Sequence, residues 1–240
     1  DILYKDKINN DIITSDGEIF NIPFSVTWKQ DSNKQEQLTN LKFKKIKLNI
    51  INSTKYIDQK LKNKLQIYLN RSRYIINYEL SNKKVNFDSI KSFIGNNKFI
   101  FSGKIFLDPF NFDVNSSLDS LKLKKLFLNN LFLKEILSKD FILNDNFNGK
   151  IQLNIKKLEN NPLFDNLKIN ANFKGQTLEL SNSIFFNDKI ANLIIKKGLI
   201  YEEQNNLMFK GDVEFLINDL KKLYNKFVVP KKNRNNLSTE

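Results

Sequence analysis

The sequence predicts a mainly β protein, built on an antiparallel sheet with one apolar and one polar face. Apolar and polar residues alternate along most of the chain, which is the period of a strand with one buried face. Alanine, the best helix former, occurs only at Ala171 and Ala191, while asparagine is frequent, so propensity disfavours long helices. With 240 residues, 40% of them hydrophobic, the chain can bury a core.

The first half of the chain predicts a series of strands separated by polar segments. The polar stretch 29–40 is typical of a long hairpin loop, and Pro23 indicates an edge strand or the start of a strand. Alternation resumes over 41–50 with a change of phase at 44–45, which predicts a β-bulge. The other alternating sets are 22–28, 65–69, 74–80, 85–87, 99–107 and 110–114.

The second half combines strands with two stretches of helical spacing. Apolar residues recur at three and four positions over about 121–137 and about 216–228, and Pro230 follows the second stretch as a stop signal. These two stretches predict two short helices. Strands are predicted around 151–155, 167–173, 178–180, 184–186, 193–195, 199–201 and 207–215.

A short pattern, Phe-x-Gly followed by x-Ile or x-Val, occurs at 101–105, 147–151 and 209–213. A glycine between apolar strand positions permits a bulge, a bend or close approach of another backbone. The recurrence indicates one type of strand used repeatedly along a continuous sheet. The other interpretation is chance recurrence of a short motif.

The net charge of +13 does not predict nucleic-acid binding. Arginine occurs only at Arg71, Arg73 and Arg234, so nearly all of the positive charge is lysine dispersed along the predicted strands. Nucleic-acid readers instead concentrate arginine and stacked aromatic residues in a defined patch. We therefore expect no nucleic-acid partner.

The composition also argues against enzymatic chemistry. Histidine and cysteine are absent, which removes the usual general base, the thiol nucleophile and most zinc and haem ligands. No glycine-rich phosphate loop is present, and the acidic residues are scattered among predicted turns. We expect a protein without catalytic residues, metal site or cofactor.

An alternating sheet must cover its apolar face, and two solutions remain open. The face can pack against a second sheet in a sandwich or barrel, which periodicity alone favours. Alternatively, it can stay open inside a curled sheet and contact lipid acyl chains, each buried methylene contributing about 0.8 kcal/mol. The two arrangements produce the same alternation.

Several segments resemble the C-terminal region of AsmA-like proteins, the group that includes TamB and YhdP. They are Gly17-Glu18-Ile19-Phe20-Asn21-Ile22-Pro23-Phe24, Gly103-Lys104-Ile105-Phe106-Leu107-Asp108-Pro109-Phe110, the segments 148–151 and 209–213, and the helical stretch that ends before Pro230-Lys231-Lys232. The similarity covers nearly the whole chain through pattern and short motifs, without an invariant signature.

The resemblance implies an elongated, twisted antiparallel sheet, curled into an apolar groove, in the periplasm of a Gram-negative bacterium. Such a groove would hold or conduct phospholipid between inner and outer membrane and support outer-membrane biogenesis and integrity. The alternative is a structural β-domain with a dry core that binds another envelope protein. Expected partners are therefore phospholipid acyl chains or, in the alternative, an envelope protein.

The domain and localisation expectations follow the same interpretation. Residues 1–230 are expected to form one continuous groove segment of a larger protein, and 231–240 a polar, disordered tail. The chain starts at Asp1 without a signal-peptide pattern, so we expect an excised region. The resemblance implies inner-membrane anchoring by an N-terminal helix that this sequence does not contain.

The residues expected to line the groove are apolar positions that alternate within predicted strands. They are Phe99, Phe101, Ile105, Leu107, Ile151, Leu153, Ile155, Leu167, Ile169, Phe173, Leu178, Leu180, Phe209, Val213 and Phe215. The alternative for each of them is a position in an ordinary β-sheet core.

Overall fold

A computed structural model of the chain describes residues 2–7, 10–19, 22–57, 60–69, 71–122, 145–204 and 206–234. The described chain is mainly β, as the alternation predicts. It divides into two compact units, Asp1–Pro109 and Phe110–Glu240, which we call unit 1 and unit 2. The continuity of residues 1–230 as one groove segment stays a prediction.

Unit 1 is an antiparallel meander in which most strands pair with the next strand along the chain. The short β9 pairs with both β7 and β10, and β10 also pairs with β8. The strands are β1 (Ile2–Lys7), β2 (Asn10–Ile19), β3 (Ile22–Asp31), β4 (Glu36–Phe43), β5 (Leu48–Ile57), β6 (Lys60–Leu69), β7 (Ser72–Ser81), β8 (Lys84–Ser89), β9 (Ser92–Ile94) and β10 (Asn97–Leu107).

Two predictions about local structure in unit 1 are wrong. The stretch 29–40 is not a long loop, because β3 and β4 stay paired as far as Asp31 and Glu36 and leave only a turn at 32–35. The phase change at 44–45 is not a bulge either. Residues 44–47 form a turn, and Phe43 pairs with Leu48 across it.

The described part of unit 2 contains six strands, and one of their pairings is parallel. The strands are β11 (Phe110–Leu118), β12 (Gly149–Ile155), β13 (Asn166–Phe173), β14 (Thr177–Asn187), β15 (Ala191–Glu203) and β16 (Asn206–Ile217). β12 to β16 pair antiparallel in sequence order, whereas β11 and β12 run parallel. The prediction of a wholly antiparallel sheet is therefore wrong for this pair, because the long segment between β11 and β12 permits a crossover.

One of the two predicted helices lies in the described part of the chain. α1 spans Leu220–Lys226, shorter than the predicted 216–228 because residues up to Ile217 belong to β16. A 3-10 helix follows at Lys231–Asn233 in the predicted tail, and residues 235–240 lie outside the described residues. Of the helix predicted at about 121–137, Leu121 forms an isolated β-bridge with Leu158, and 123–137 lie outside the described residues.

The buried apolar side chains that the structure describes all belong to unit 2. They are Phe112, Leu118, Ile155, Leu158, Leu167, Phe173, Leu178 and Ala191. In unit 1, Ser92 is the one buried residue among those whose burial is described. Its hydroxyl accepts a hydrogen bond from the backbone N–H of Ile75 at 3.0 Å and thereby joins β9 to β7.

Candidate functional site: the apolar face of unit 1

Strand register gathers the apolar residues of unit 1 on one side of its sheet. Val26 pairs with Leu41, Leu41 with Ile50, and Ile50 with Ile67, so their side chains share a face. We call this surface the apolar face of unit 1. Its members on β3 to β10 include Phe24, Val26, Trp28, Leu41, Phe43, Leu48, Ile50, Leu65, Ile67, Leu69, Tyr74, Ile76, Tyr78, Leu80, Val85, Phe87, Phe99, Phe101, Ile105 and Leu107.

Aromatic rings form a contiguous cluster at the β7–β10 part of this face. Phe99 and Phe101 have ring centroids 5.0 Å apart, and Tyr74 lies 6.3 Å and 6.4 Å from them. Phe87 on β8 is 6.2 Å from Phe101. These distances fall within the range of favourable aromatic pairs, so the cluster is a continuous apolar surface.

No second layer seals this face in the described part of unit 1. None of its apolar side chains is buried, and most have intermediate exposure. Leu80 is 62% exposed and Leu107 49% exposed at the ends of their strands. A sheet face packed against a second sheet would instead carry fully buried residues at its centre.

Across β3 to β6, the opposite face of unit 1 is mainly polar and basic. Lys29, Lys62 and Lys64 lie there, because each alternates along its strand with members of the apolar face. Ile51 and Ile75 also point to this side, next to Ile50 and Ile76 on the apolar side. Adjacent isoleucines on opposite faces therefore mark the two surfaces on the same strands.

The apolar face changes character along the strands. Toward the 44–47 turn it is wholly apolar across β4, β5 and β6, where Phe43, Leu48 and Leu69 form one row. Toward the other end of the same strands it turns polar in a row of Gln37, Thr54 and Asn63. The Thr54 hydroxyl donates to the Asn63 amide oxygen at 2.9 Å.

The two rows of turns at the ends of the strands differ in charge. At the polar end, three ion pairs join Lys34 to Asp31 at 3.3 Å, Lys55 to Glu36 at 3.1 Å and Lys83 to Asp108 at 2.5 Å. We call this end the ion-paired rim. The backbone N–H of Lys34 holds the pKa of Asp31 below its usual value, which keeps that carboxylate charged.

The turns at the opposite end are rich in basic residues. The 44–47 turn contains three lysines around the exposed Ile46, and Arg71 lies in the next turn at this end, between β6 and β7. Lys44, Lys47 and Arg71 are exposed and form no ion pair with any described residue. We call these three residues the cationic rim.

Unit 2 also has an apolar face, but part of it is sealed. Phe112, Phe147 and Phe173 cluster with centroids 4.6 Å to 5.7 Å apart, and Ile155, at the other end of β12, is 1% exposed. At β16 the same face is open, since Phe209 is 49% exposed. The exposure of apolar side chains in unit 2 therefore increases from the packed residues to β16.

The fifteen predicted groove residues fall into two groups by unit and three by burial. Phe99, Phe101, Ile105 and Leu107 lie on the apolar face of unit 1, and the other eleven lie on that of unit 2. Four of the eleven are buried: Ile155, Leu167, Phe173 and Leu178. Ile151, Leu153, Ile169 and Leu180 are half-buried, and Phe209, Val213 and Phe215 are exposed.

The prediction omitted most of the apolar face of unit 1. Trp28, Ile50, Ile67 and Ile76 alternate as clearly as the residues chosen, but alternation does not reveal which of two apolar faces is sealed. The sequence offered one usable signal. Alternating segments that are joined by short turns form hairpins, and hairpin pairing places these residues side by side. The cationic turns carried a second signal, because 44–47 lacks an acidic residue.

Other kinds of site find no support within the described ranges. No group of three acidic, histidine or cysteine residues there could hold a metal ion. No helix in that part of the chain has both the length and the hydropathy of a membrane span. Comparisons with protein-family models, curated proteins and solved structures found no match for this chain.

Proposed function

We propose that this chain holds or conducts phospholipid by receiving acyl chains on the apolar face of unit 1. The AsmA-like resemblance extends the proposal to the periplasm of a Gram-negative envelope. There the chain would act between inner and outer membrane and support outer-membrane biogenesis and integrity. Anchoring to the inner membrane would come from a helix outside this sequence, and no catalytic residue takes part.

One observation carries the proposal. A broad apolar surface, formed by strands β3 to β10, has no buried apolar member among the described residues of unit 1. Exposed apolar surface of this extent is costly in water, and it commonly marks a site for lipid or protein. A flexible apolar chain fits a long, continuous sheet face better than a compact ligand does.

The energy of such binding is adequate without polar anchors. Each acyl methylene removed from water contributes about 0.8 kcal/mol, so about a dozen of them contribute roughly 10 kcal/mol before the cost of immobilisation. The half-buried state of Ile50, Ile67 and Tyr74 leaves apolar area for these contacts.

Unit 2 supports the second candidate function, a dry-core structural β-domain that binds another envelope protein. Ile155 and Leu167 are 1% and 3% exposed, as in an ordinary interior. A residue this buried offers no surface to a lipid. The two candidates are compatible, because they concern different units of the chain.

Photo-crosslinking from neighbouring isoleucines tests the proposal. Benzoylphenylalanine is introduced at Ile50 or Ile76 on the apolar face, and at Ile51 or Ile75 on the polar face of the same strands. The full chain is expressed in a Gram-negative host, irradiated, purified without detergent and analysed by mass spectrometry. We expect phospholipid adducts from positions 50 and 76 and few from positions 51 and 75.

The matched positions make the result decisive. All four isoleucines are half-buried and come from two strands, so backbone environment and probe chemistry are shared. Equal labelling on both faces, or a monodisperse and stable protein free of lipid, would contradict the proposal. Adducts with a single envelope protein at 50 and 76 would favour the second candidate.

A further inference from the structure

The apolar face of unit 1 ends on one side at a rim of unmatched positive charge. Lys44 and Lys47 are the first and last residues of the turn between β4 and β5, and Arg71 lies in the turn between β6 and β7. These turns are two strand spacings apart, about 10 Å, so their long side chains can reach a common anion. Two lysines and an arginine supply point charge and a bidentate donor for a phosphate group.

The positive charge of the cationic rim lies at one end of the strands. At the ion-paired rim, Asp31, Glu36 and Asp108 each face a lysine, so that end is locally neutralised. No residue described in the 44–47 turn or at position 71 is acidic. The two ends of the same sheet would therefore attract different parts of an amphiphile.

The apolar surface lies directly beside the cationic rim. Phe43, Leu48 and Leu69 form the first row next to these turns, and Leu41, Ile50 and Ile67 form the second. The row of Gln37, Thr54 and Asn63 lies nearer the ion-paired rim. The cationic rim and the apolar surface are adjacent at this end of the strands only. An anionic lipid has the same arrangement, with a charged headgroup next to apolar tails.

We infer that the cationic rim binds the headgroup phosphate of an anionic phospholipid whose acyl chains lie on the apolar face. This inference rests on the proposed function and adds to it a headgroup class and an orientation. The tail starts at the row of Phe43, Leu48 and Leu69 and runs toward the ion-paired rim. The Ile46 side chain, which lies between Lys45 and Lys47 in the same turn, is 39% exposed.

Trp28 provides the readout, because it is the only tryptophan of the sequence and lies on the apolar face. The full chain is titrated with dioctanoyl phosphatidylglycerol and with dioctanoylglycerol, both carrying brominated chains that quench indole fluorescence. Inorganic phosphate and glycerol phosphate are added in separate competition arms. The two lipids share their tails and differ in the phosphate headgroup.

Two variants with equal loss of charge are compared. One replaces the cationic rim (Lys44→Gln, Lys47→Gln and Arg71→Gln), and the other replaces three lysines of the polar face (Lys29→Gln, Lys62→Gln and Lys64→Gln). We expect phosphatidylglycerol to bind the rim variant roughly tenfold more weakly, since each exposed charge contributes at most a few-fold. The polar-face variant should bind as the unchanged chain does, and dioctanoylglycerol should not distinguish the three proteins.

Salt gives a check that needs no substitution. Exposed charges are screened within about 8 Å at physiological ionic strength, so raising sodium chloride should weaken phosphatidylglycerol binding and leave dioctanoylglycerol binding unchanged. Loss of this salt dependence in the rim variant would confirm that it comes from Lys44, Lys47 and Arg71. Circular dichroism establishes that each variant is folded.

The outcomes separate this inference from the function on which it rests. If both lipids quench Trp28 equally in all three proteins, the headgroup inference is overturned and the lipid face remains. If neither lipid quenches Trp28, both the proposed function and the headgroup inference are overturned. A third outcome is that inorganic phosphate and glycerol phosphate displace phosphatidylglycerol equally well and that the acyl tails add nothing to its affinity. The rim is then a simple anion site, and the inference is overturned.

Discussion

Three glycines of the apolar faces lie under phenylalanine rings of neighbouring strands. A Cβ on Gly17 would come within 2.6 Å of the Phe24 ring, and one on Gly198 within 2.9 Å of the Phe209 ring. At Gly149 the close neighbours include the Phe112 ring and its carbonyl oxygen, at 2.3 Å. The rings thus cover backbone that has no side chain of its own, which keeps the apolar faces continuous.

Replacing Gly149 by alanine should therefore destabilise the protein. The new methyl would meet the Phe112 backbone, which cannot move aside as a flexible side-chain end can, and φ is +153°. We expect a loss of about 2–4 kcal/mol in the free energy of unfolding, measured with urea, because overpacking and backbone strain add. Gly175→Ala is the matched control, since φ is +50° there with open space around it, and it should cost about 1–2 kcal/mol. Equal losses would show that the contact with Phe112 does not matter.

Tyr74 should make the stability of the protein sensitive to alkaline pH. Burial raises the pKa of this phenol, because its charged form is poorly solvated on the apolar face. A raised folded-state pKa stabilises the fold below the unfolded value of about 10, and this contribution is lost as pH rises through the folded value. Urea unfolding between pH 9 and pH 11 should show a steeper decline than in Tyr74→Phe. Parallel declines would contradict this assignment, and ultraviolet absorbance follows the ionisation itself.

Among the elements, α1 shows what periodicity alone cannot locate. The spacing of Leu220, Leu223 and Tyr224 predicts a helix, which is confirmed, but the predicted start at 216 overlaps β16. The side chain of Asp219 accepts a hydrogen bond from the backbone N–H of Lys222 at 2.9 Å and fixes the N-terminus. An aspartate before the first periodic leucine was the available sequence signal.

The turns of unit 1 illustrate the opposite error. Polar residues on both faces of the β3–β4 hairpin suggested a loop, although Gln30 pairs with Gln37 and Asp31 with Glu36. Backbone pairing continues there because the polar end of the sheet requires no apolar side chains. Composition therefore underestimates strand length wherever a sheet runs beyond its apolar surface.

β12 allows a test of how far unit 2 is sealed. Ile155 is 1% exposed, while Ile151 on the same strand and the same face is half-buried. Ile155→Ala should cost about 2–5 kcal/mol through lost contacts and a cavity, and Ile151→Ala clearly less. The difference appears as unequal shifts of the urea midpoint. Similar shifts at the two sites would mean that the packed interior extends further than the burial indicates.

At the scale of the whole chain, the sequence was sufficient for the mainly β class and for the faces of individual strands. Alternation places Ile50 and Ile67 each on the apolar side of its own strand, and the register shows that the two are paired. The parallel pairing of β11 with β12 could not be predicted, because period two is the same in parallel and antiparallel strands. Nor does alternation distinguish the sealed Ile155 from the open Ile50, since that depends on what packs above the sheet.

The parallel pair also bears on the order in which the two units fold. The hairpins of unit 1 join neighbours in sequence, so each strand can zip onto the one before it with little loop entropy to overcome. In unit 2, Phe112 meets Gly149 only after the whole intervening segment has been brought round. Local pairing is faster than distant pairing. During synthesis, the parallel pairing of β11 with β12 would therefore form only after the whole intervening segment has been made.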